Sequence, residues 1–217
     1  MSEISEMSEK DLIIYVLKKN IQGAFIECGV HEGLQQYIWI ELIMLNSITS
    51  IPDIYLYDTF AGLVEPTKYD YTCKDTVLYK LNNKQVHYIW KKEIISSNIN
   101  NWCYAPLDKV KNYLYSTGYP ENKLHFIEGN TIETLKNKEN IPEKIAVLRL
   151  DTDWYESSKA EIETLYNNVV VGGVIIFDDY YHWDGQRRAV DDYFKSINIT
   201  YDFIKINNNK TGAIIKK

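Results

Sequence analysis

Four aspartates stand at the ends of two apolar runs. Leu148-Arg149-Leu150 leads into Asp151-Thr152-Asp153, and Val174-Ile175-Ile176-Phe177 leads into Asp178-Asp179. Carboxylates are seldom buried without compensation, so four of them at the same end of two hydrophobic segments call for a partner. A hard divalent cation is the simplest one. If the two runs are neighbouring strands, Asp151 and Asp178 lie roughly 5 Å apart, which suits two ligands of one ion. A single Asp at a strand end is ordinary, because it caps helices and starts turns; the paired set is harder to explain that way.

The elements that position these residues are legible around them. Ile145–Leu150 and Val174–Phe177 are short, continuous and rich in β-branched residues, as expected of strands covered on both faces of a parallel sheet. Between them, Glu156 to Asn167 carries Ala160, Ile162, Leu165 and Tyr166 in a helical stripe, and Gly172-Gly173 resets the chain before the second strand. A right-handed βαβ crossover then brings both carboxyl ends to one edge, where open α/β sheets hold their ligands.

The first half of the chain repeats the pattern. Ser8 and Asp11 cap a helix whose apolar face is Leu12, Ile13, Val16 and Leu17. Ala24–Cys28 reads as a strand, Gly29-Val30-His31-Glu32-Gly33 as a glycine-bearing turn that lets a ligand approach the backbone, and Leu34–Leu45 as a helix. A second strand, Ile54–Tyr57, ends at Asp58, where a ribose diol is commonly held. Gly-x-x-x-Gly is not the dinucleotide pattern, and no Gly-Lys-Ser/Thr follows, so a nucleoside without a pyrophosphate fits better. From Ala61 to Pro106 periodicity fades and Tyr69, Tyr71, Tyr79, Tyr88, Trp90, Trp102 and Tyr104 accumulate, an insertion over the site edge that could act as a lid or simply pack as a subdomain. A helix over Leu107–Ser116, a strand over Leu124–Glu128 with Gly129-Asn130 at its tip, a helix from Thr131 to Lys136 and another over Gly185–Ser196 follow. Tyr201–Ile206 and Thr211–Ile215 flank the turn-forming Asn207-Asn208-Asn209-Lys210 and close the chain as a hairpin.

At 217 residues the chain fits one α/β domain with a modest insertion at about 61–106. Its net charge of −6 and scattered Lys and Arg argue against a nucleic-acid partner. No apolar run is long enough for a membrane span, and the acidic start Met1-Ser2-Glu3-Ile4-Ser5-Glu6 is unlike a secretory signal, so a cytoplasmic protein is expected. Cys28, Cys73 and Cys103 suggest neither a disulfide framework nor a zinc site, and the sequons at Asn198 and Asn209 carry no weight without export.

Five strand–helix units and a terminal hairpin resemble the class I S-adenosylmethionine-dependent methyltransferase fold, a Rossmann-like α/β seven-stranded sheet, mostly parallel, with its last strand antiparallel. More narrowly, Glu27-x-Gly29-Val30-x-x-Gly33, Tyr57-Asp58-Thr59-Phe60-x-Gly62-Leu63, Asp151-x-Asp153-x-Tyr155-Glu156-Ser157 and Gly172-Gly173-x-x-Ile176-x-Asp178-Asp179-Tyr180 are similar to motifs of the macrocin O-methyltransferase family, magnesium-dependent sugar methyltransferases. The resemblance implies that Glu27, Gly29, Gly33, Asp58, Thr59, Phe60, Gly129, Asn130 and Asp151 contact S-adenosyl-L-methionine. It implies Mg2+ on Asp151, Asp178 and Asp179, and Asp153 as the general base. The acceptor it implies is a small sugar-type molecule, and self-association into a homo-oligomer is common in such families. His31-Glu32 departs from the Trp-Arg often found in the first loop. His31, His87, His125 and His182 are alternative bases, His182 standing out because it follows the acidic pair. Competing readings are a methyltransferase of catechol-like diols, a catalytically silent nucleoside-binding module, and a hydroxylase on the same fold.

Overall fold

The computed structural model describes residues 7–46, 50–206 and 210–217. The acidic first six residues, Asn207 to Asn209 of the hairpin turn, and with them the second sequon asparagine lie outside the described residues. Along the chain run α1 (Glu9–Lys18), β1 (Ala24–Cys28), α2 (Leu34–Leu45), β2 (Ile54–Asp58), α3 (Asn83–Lys92), β3 (Ile94–Ser96), β4 (Ile99–Asn100), α4 (Leu107–Tyr115) and β5 (Leu124–Glu128). Then come α5 (Thr131–Thr134), β6 (Ile145–Leu150), α6 (Tyr155–Leu165), β7 (Val169–Phe177), α7 (Asp184–Ser196), β8 (Ile204–Ile206) and β9 (Thr211–Ile215).

Seven strands form one sheet in the order β5-β2-β1-β6-β7-β9-β8, in which β9 runs antiparallel to both neighbours and the first five are parallel. The expected α/β sheet with an antiparallel final strand is thus the observed one. Side chains alternate between the two faces, as strand geometry requires. Val147 and Ile176 pack with Leu12, Val16, Trp39, Ile43 and Val110 on the α1, α2 and α4 side. Leu148, Ile175 and Phe177 pack with Ile162, Leu165, Val190 and Phe194 on the α6 and α7 side. Each such fully buried aliphatic or aromatic side chain stabilises the fold by roughly 1.5–3 kcal/mol.

At the start of α1 the Ser8 hydroxyl accepts from the Asp11 N–H while the Asp11 carboxylate accepts from the Ser8 N–H, the expected capping box. Boundaries differ where tertiary pairing outweighs local pattern. Gly172-Gly173 does not precede the second acidic strand but lies inside it, because the Gly172 N–H donates to the Lys216 carbonyl and the Lys216 N–H to the Gly173 carbonyl. The strand is kinked there, with Gly172 at φ 82° and Val171 exposed. β8 starts at Ile204 rather than Tyr201, and α5 ends at Thr134 rather than Lys136.

The aromatic segment 61–106 holds α3 and the β3–β4 hairpin, which its weak periodicity hid. Leu63, Val64, Leu81, Val86 and Trp102 pack on Trp154 and Trp183, which flank the starts of α6 and α7. The buried Asp70 carboxylate accepts from the Tyr155 N–H, so the insertion caps α6. Among the described residues no helix is long and apolar enough to cross a membrane.

Candidate active site

The parallel strands β1, β2, β5, β6 and β7 all end at one edge, and a cavity of about 260 Å³ opens there. Gly29, Asp58, Thr59, Gly129 and Asn130 line one part of it, and Asp151, Asp153, Asp178 and Asp179 the other. Leu150 pairs with Phe177 across β6 and β7, which puts the two acidic motifs side by side.

In the first part the Asp58 carboxylate is held by main-chain donors. One oxygen accepts from the Val30 and His31 N–H groups at 2.7 and 2.9 Å, the other from the Phe60 N–H at 2.7 Å. The carboxylate therefore ties the β1–α2 turn to the end of β2. Gly29, at φ 92°, is demanded by the sheet itself: a Cβ there would stand 2.1 Å from the Asp151 carbonyl oxygen. Asn130 accepts from the Ile132 N–H and caps α5, and Thr59 donates to the Gly62 carbonyl.

Glu27, Gly33 and Phe60 do not line the cavity. Glu27 is buried and bonded to Arg149. Gly33 takes φ 83° at the start of α2, facing Val110 and Leu114, and the Phe60 ring is buried in the core beside α4.

The second part is dense in charge. Arg149, the penultimate residue of β6, is buried and reaches Glu9, Glu27, Asp151 and Asp178. Lys210 places its ammonium 2.7 Å from Asp178 Oδ2 and 2.9 Å from Asp179 Oδ1. Oxygens of Asp151, Asp153 and Asp179 lie within 4.8 Å of one another. Burial raises the Asp153 carboxyl well above its usual range, with the adjacent Asp179 adding to the effect. Burial would also raise Asp178, but Arg149 and Lys210 overcome it and hold that carboxyl below its usual range.

Six connected carboxyl groups, Glu9, Glu27, Asp151, Asp153, Asp178 and Asp179, thus meet two cationic side chains. A buried excess of that size is tolerated only with protons or a further cation. The donor set is all oxygen, as hard divalent ions prefer. Asp179 Oδ1 is buried without a well-formed hydrogen bond, although the lysine ammonium is close to it. The residues fit such an ion.

The sequence reading missed Arg149, Lys210 and Glu161. A lone Arg inside an apolar strand was a signal, since its register partner on β1 is Glu27. Glu161 on α6 is fully buried, accepts from the Thr152 hydroxyl at 3.0 Å, and is pushed up by burial to about 7, against opposing bonds from Thr131 and Thr152. Thr131 and Thr152 both line the cavity. Of the four histidines only His31 does so. His182 is buried with Nδ1 2.9 Å from the Thr76 hydroxyl, and His125 bonds Asp53 near the opposite end of the strands.

Comparison with known proteins accords with this geometry. A demethyldecarbamoylnovobiocin O-methyltransferase of Streptomyces niveus is 25% identical over 194 residues, covering 89% of this chain and 66% of the relative. An 8-demethyl-8-(2,3-dimethoxy-alpha-L-rhamnosyl)-tetracenomycin-C 4'-O-methyltransferase of Streptomyces olivaceus is 26% identical over 178 residues, covering 82% and 60%. The chain thus spans just under two thirds of the length of these relatives. Among solved structures, the O-methyltransferase NovP superposes with a TM-score of 0.77 at 22% identity, covering 96% of this chain and 77% of that one. The calicheamicin methyltransferase CalS11 gives 0.64 at 15%, covering 94% and 78%, and the two likenesses establish the fold. The family model described as Macrocin-O-methyltransferase matches residues 6–216, and the chain belongs to that family.

Proposed function

We propose that the chain is an S-adenosylmethionine-dependent, magnesium-dependent O-methyltransferase acting on a hydroxyl of a sugar or sugar-bearing metabolite. The observation that carries this reading is one cavity that joins the glycine turns and Asp58 to the acidic edge of β6 and β7. The tetracenomycin relative is named for methylating a rhamnosyl-bearing substrate, which points to the same acceptor class here.

Gly29, Asp58, Thr59, Gly129 and Asn130 would border the cofactor, and Asp151, Asp178 and Asp179 would hold the metal. S-adenosylmethionine supplies an electrophilic methyl group on sulfur. A divalent cation held there would supply positive charge that eases loss of an acceptor hydroxyl proton. Asp153 turns its carboxyl toward Asp151 and Asp179 through a left-handed backbone, φ 66°. A buried carboxyl with raised proton affinity is a stronger base toward a hydroxyl proton than an exposed one. Gly62, Leu63, Val64 and Cys103, from the segment 61–106, wall the cavity and would limit water around the acceptor.

Calorimetric titration with S-adenosylhomocysteine, with magnesium and then with chelator, tests the reading before any acceptor is known. Micromolar binding is expected in both conditions, followed by metal-dependent methylation in a screen of nucleotide sugars against catechols. Absence of binding in both conditions overturns the methyltransferase reading, and a dominant preference for catechols overturns the sugar assignment.

A further inference from the structure

The two cations of the acidic edge are not equivalent. Arg149 has a side chain 8% exposed and is fixed by carboxylates from α1, β1, β6 and the end of β7. Lys210 stands just before β9, and its side chain is 33% exposed with contacts to Asp178 and Asp179 alone among these carboxylates. The guanidinium is built in, whereas the lysine has a way out to solvent along a flexible stem.

Its ammonium also sits where the proposed metal ligands would have to turn. Asp178 Oδ2 and Asp179 Oδ1 both face Nζ, and Asp178 Oδ1 is taken by Arg149. Magnesium bonds carboxylate oxygens at about 2.0–2.1 Å, so an ion on those same two oxygens would lie within a few ångströms of the lysine charge. Two cations cannot share that position without strong repulsion in a partly buried site. Oxygens of Asp151, Asp153 and Asp179 do converge, while Asp178 is held by both Arg149 and Lys210.

We propose that Lys210 is a tethered cation that neutralises Asp178 and Asp179 in the metal-free protein and is displaced into solvent when a divalent ion enters. This rests on the metal-dependent reading above and adds an exchange step to it. Its consequence is that metal binding competes with an internal ion pair, so metal affinity is lower than the carboxylates alone would give, while the metal-free site is kept from electrostatic disruption.

The test is a magnesium titration by calorimetry at fixed salt, on the full chain saturated with S-adenosylhomocysteine, comparing wild type, Lys210→Met and Lys210→Arg. Lys210→Met removes the charge and keeps most of the stem; it should bind magnesium at least tenfold more tightly and show a lower metal-free melting temperature that saturating magnesium restores. Lys210→Arg keeps the charge and should stay within about threefold of wild type. Lys210→Gln provides the same comparison if the methionine variant folds poorly, as judged by circular dichroism. Equal affinities for wild type and the neutral variants overturn the displacement while leaving the metal site standing. Failure of every protein to bind magnesium despite binding S-adenosylhomocysteine overturns both the metal assignment and the displacement, and leaves cofactor binding intact.

Discussion

Asp58 and Asp178 stand at the same sheet edge, at the ends of β2 and β7 with β1 and β6 between them, yet they are stabilised by opposite means. The Asp58 carboxylate is met by three main-chain N–H groups from two turns, donors that belong to the backbone and cannot leave. Asp178 is met by the side chains of Arg149 and Lys210, the first buried and the second partly open to solvent. A carboxylate fixed by backbone dipoles gives a rigid, prebuilt wall. One fixed by side-chain charges remains available for exchange, because another cation can substitute for the first. The difference separates the part of the cavity that shapes a ligand from the part that handles protons and charge.

The sharpest break of that contrast is Asp153→Asn. With the proposed base gone, turnover should fall by about two to four orders of magnitude, while S-adenosylhomocysteine affinity stays within about threefold. Single-turnover methyl transfer beside calorimetry separates the two, and near-wild-type turnover removes Asp153 from the role. Asp58→Ala attacks the rigid side instead. Leaving three N–H donors unpaired should lower stability by about 3 kcal/mol in urea unfolding and weaken the cofactor analogue as well. A stability loss with unchanged analogue affinity would confine Asp58 to holding its two turns together.

The smallest effect is expected from Glu161, which belongs to neither scheme. Its carboxyl is raised to about 7 in the fold from an ordinary value of 4.5, so the folded chain holds the proton more tightly than the unfolded one. Stability from this group is full below about pH 4.5 and is lost as pH rises toward 7, by about 2 kcal/mol between pH 5 and 7. Glu161→Gln should remove that slope from urea midpoints measured across the range; an unchanged slope would assign it to other groups.

Much of this architecture can be read directly from residues. The strands β1, β2, β5 and β6 follow from runs of apolar, β-branched residues, and the four aspartates at the site edge follow from where those runs stop. What escapes is non-local. Lys210 sits in an Asn-rich turn whose local pattern says only that the chain reverses, while its ammonium meets a carboxylate 32 residues earlier. Glu27 lies in a motif that points to the cofactor, but strand register sets it opposite Arg149 and away from the cavity. α3 is polar over most of its surface and buries Val86 alone, too narrow a stripe to stand out among the tyrosines around it.

The kink of β7 works as slack. Between Ile145 and Val147 the chain of β6 advances two positions, while its partner advances five, from Val169 to Val174, so β7 carries three residues more than its neighbour needs. From Val174 to Phe177 the two strands then pair residue for residue, and that pairing sets Asp178 beside the end of β6. The irregularity is taken up at the end of the strand remote from the aspartates, where Gly172 and Gly173 bond to Lys216 instead. The acidic edge is thus aligned by its last four paired positions, as a rope is held by its knot and not by the loose length behind it.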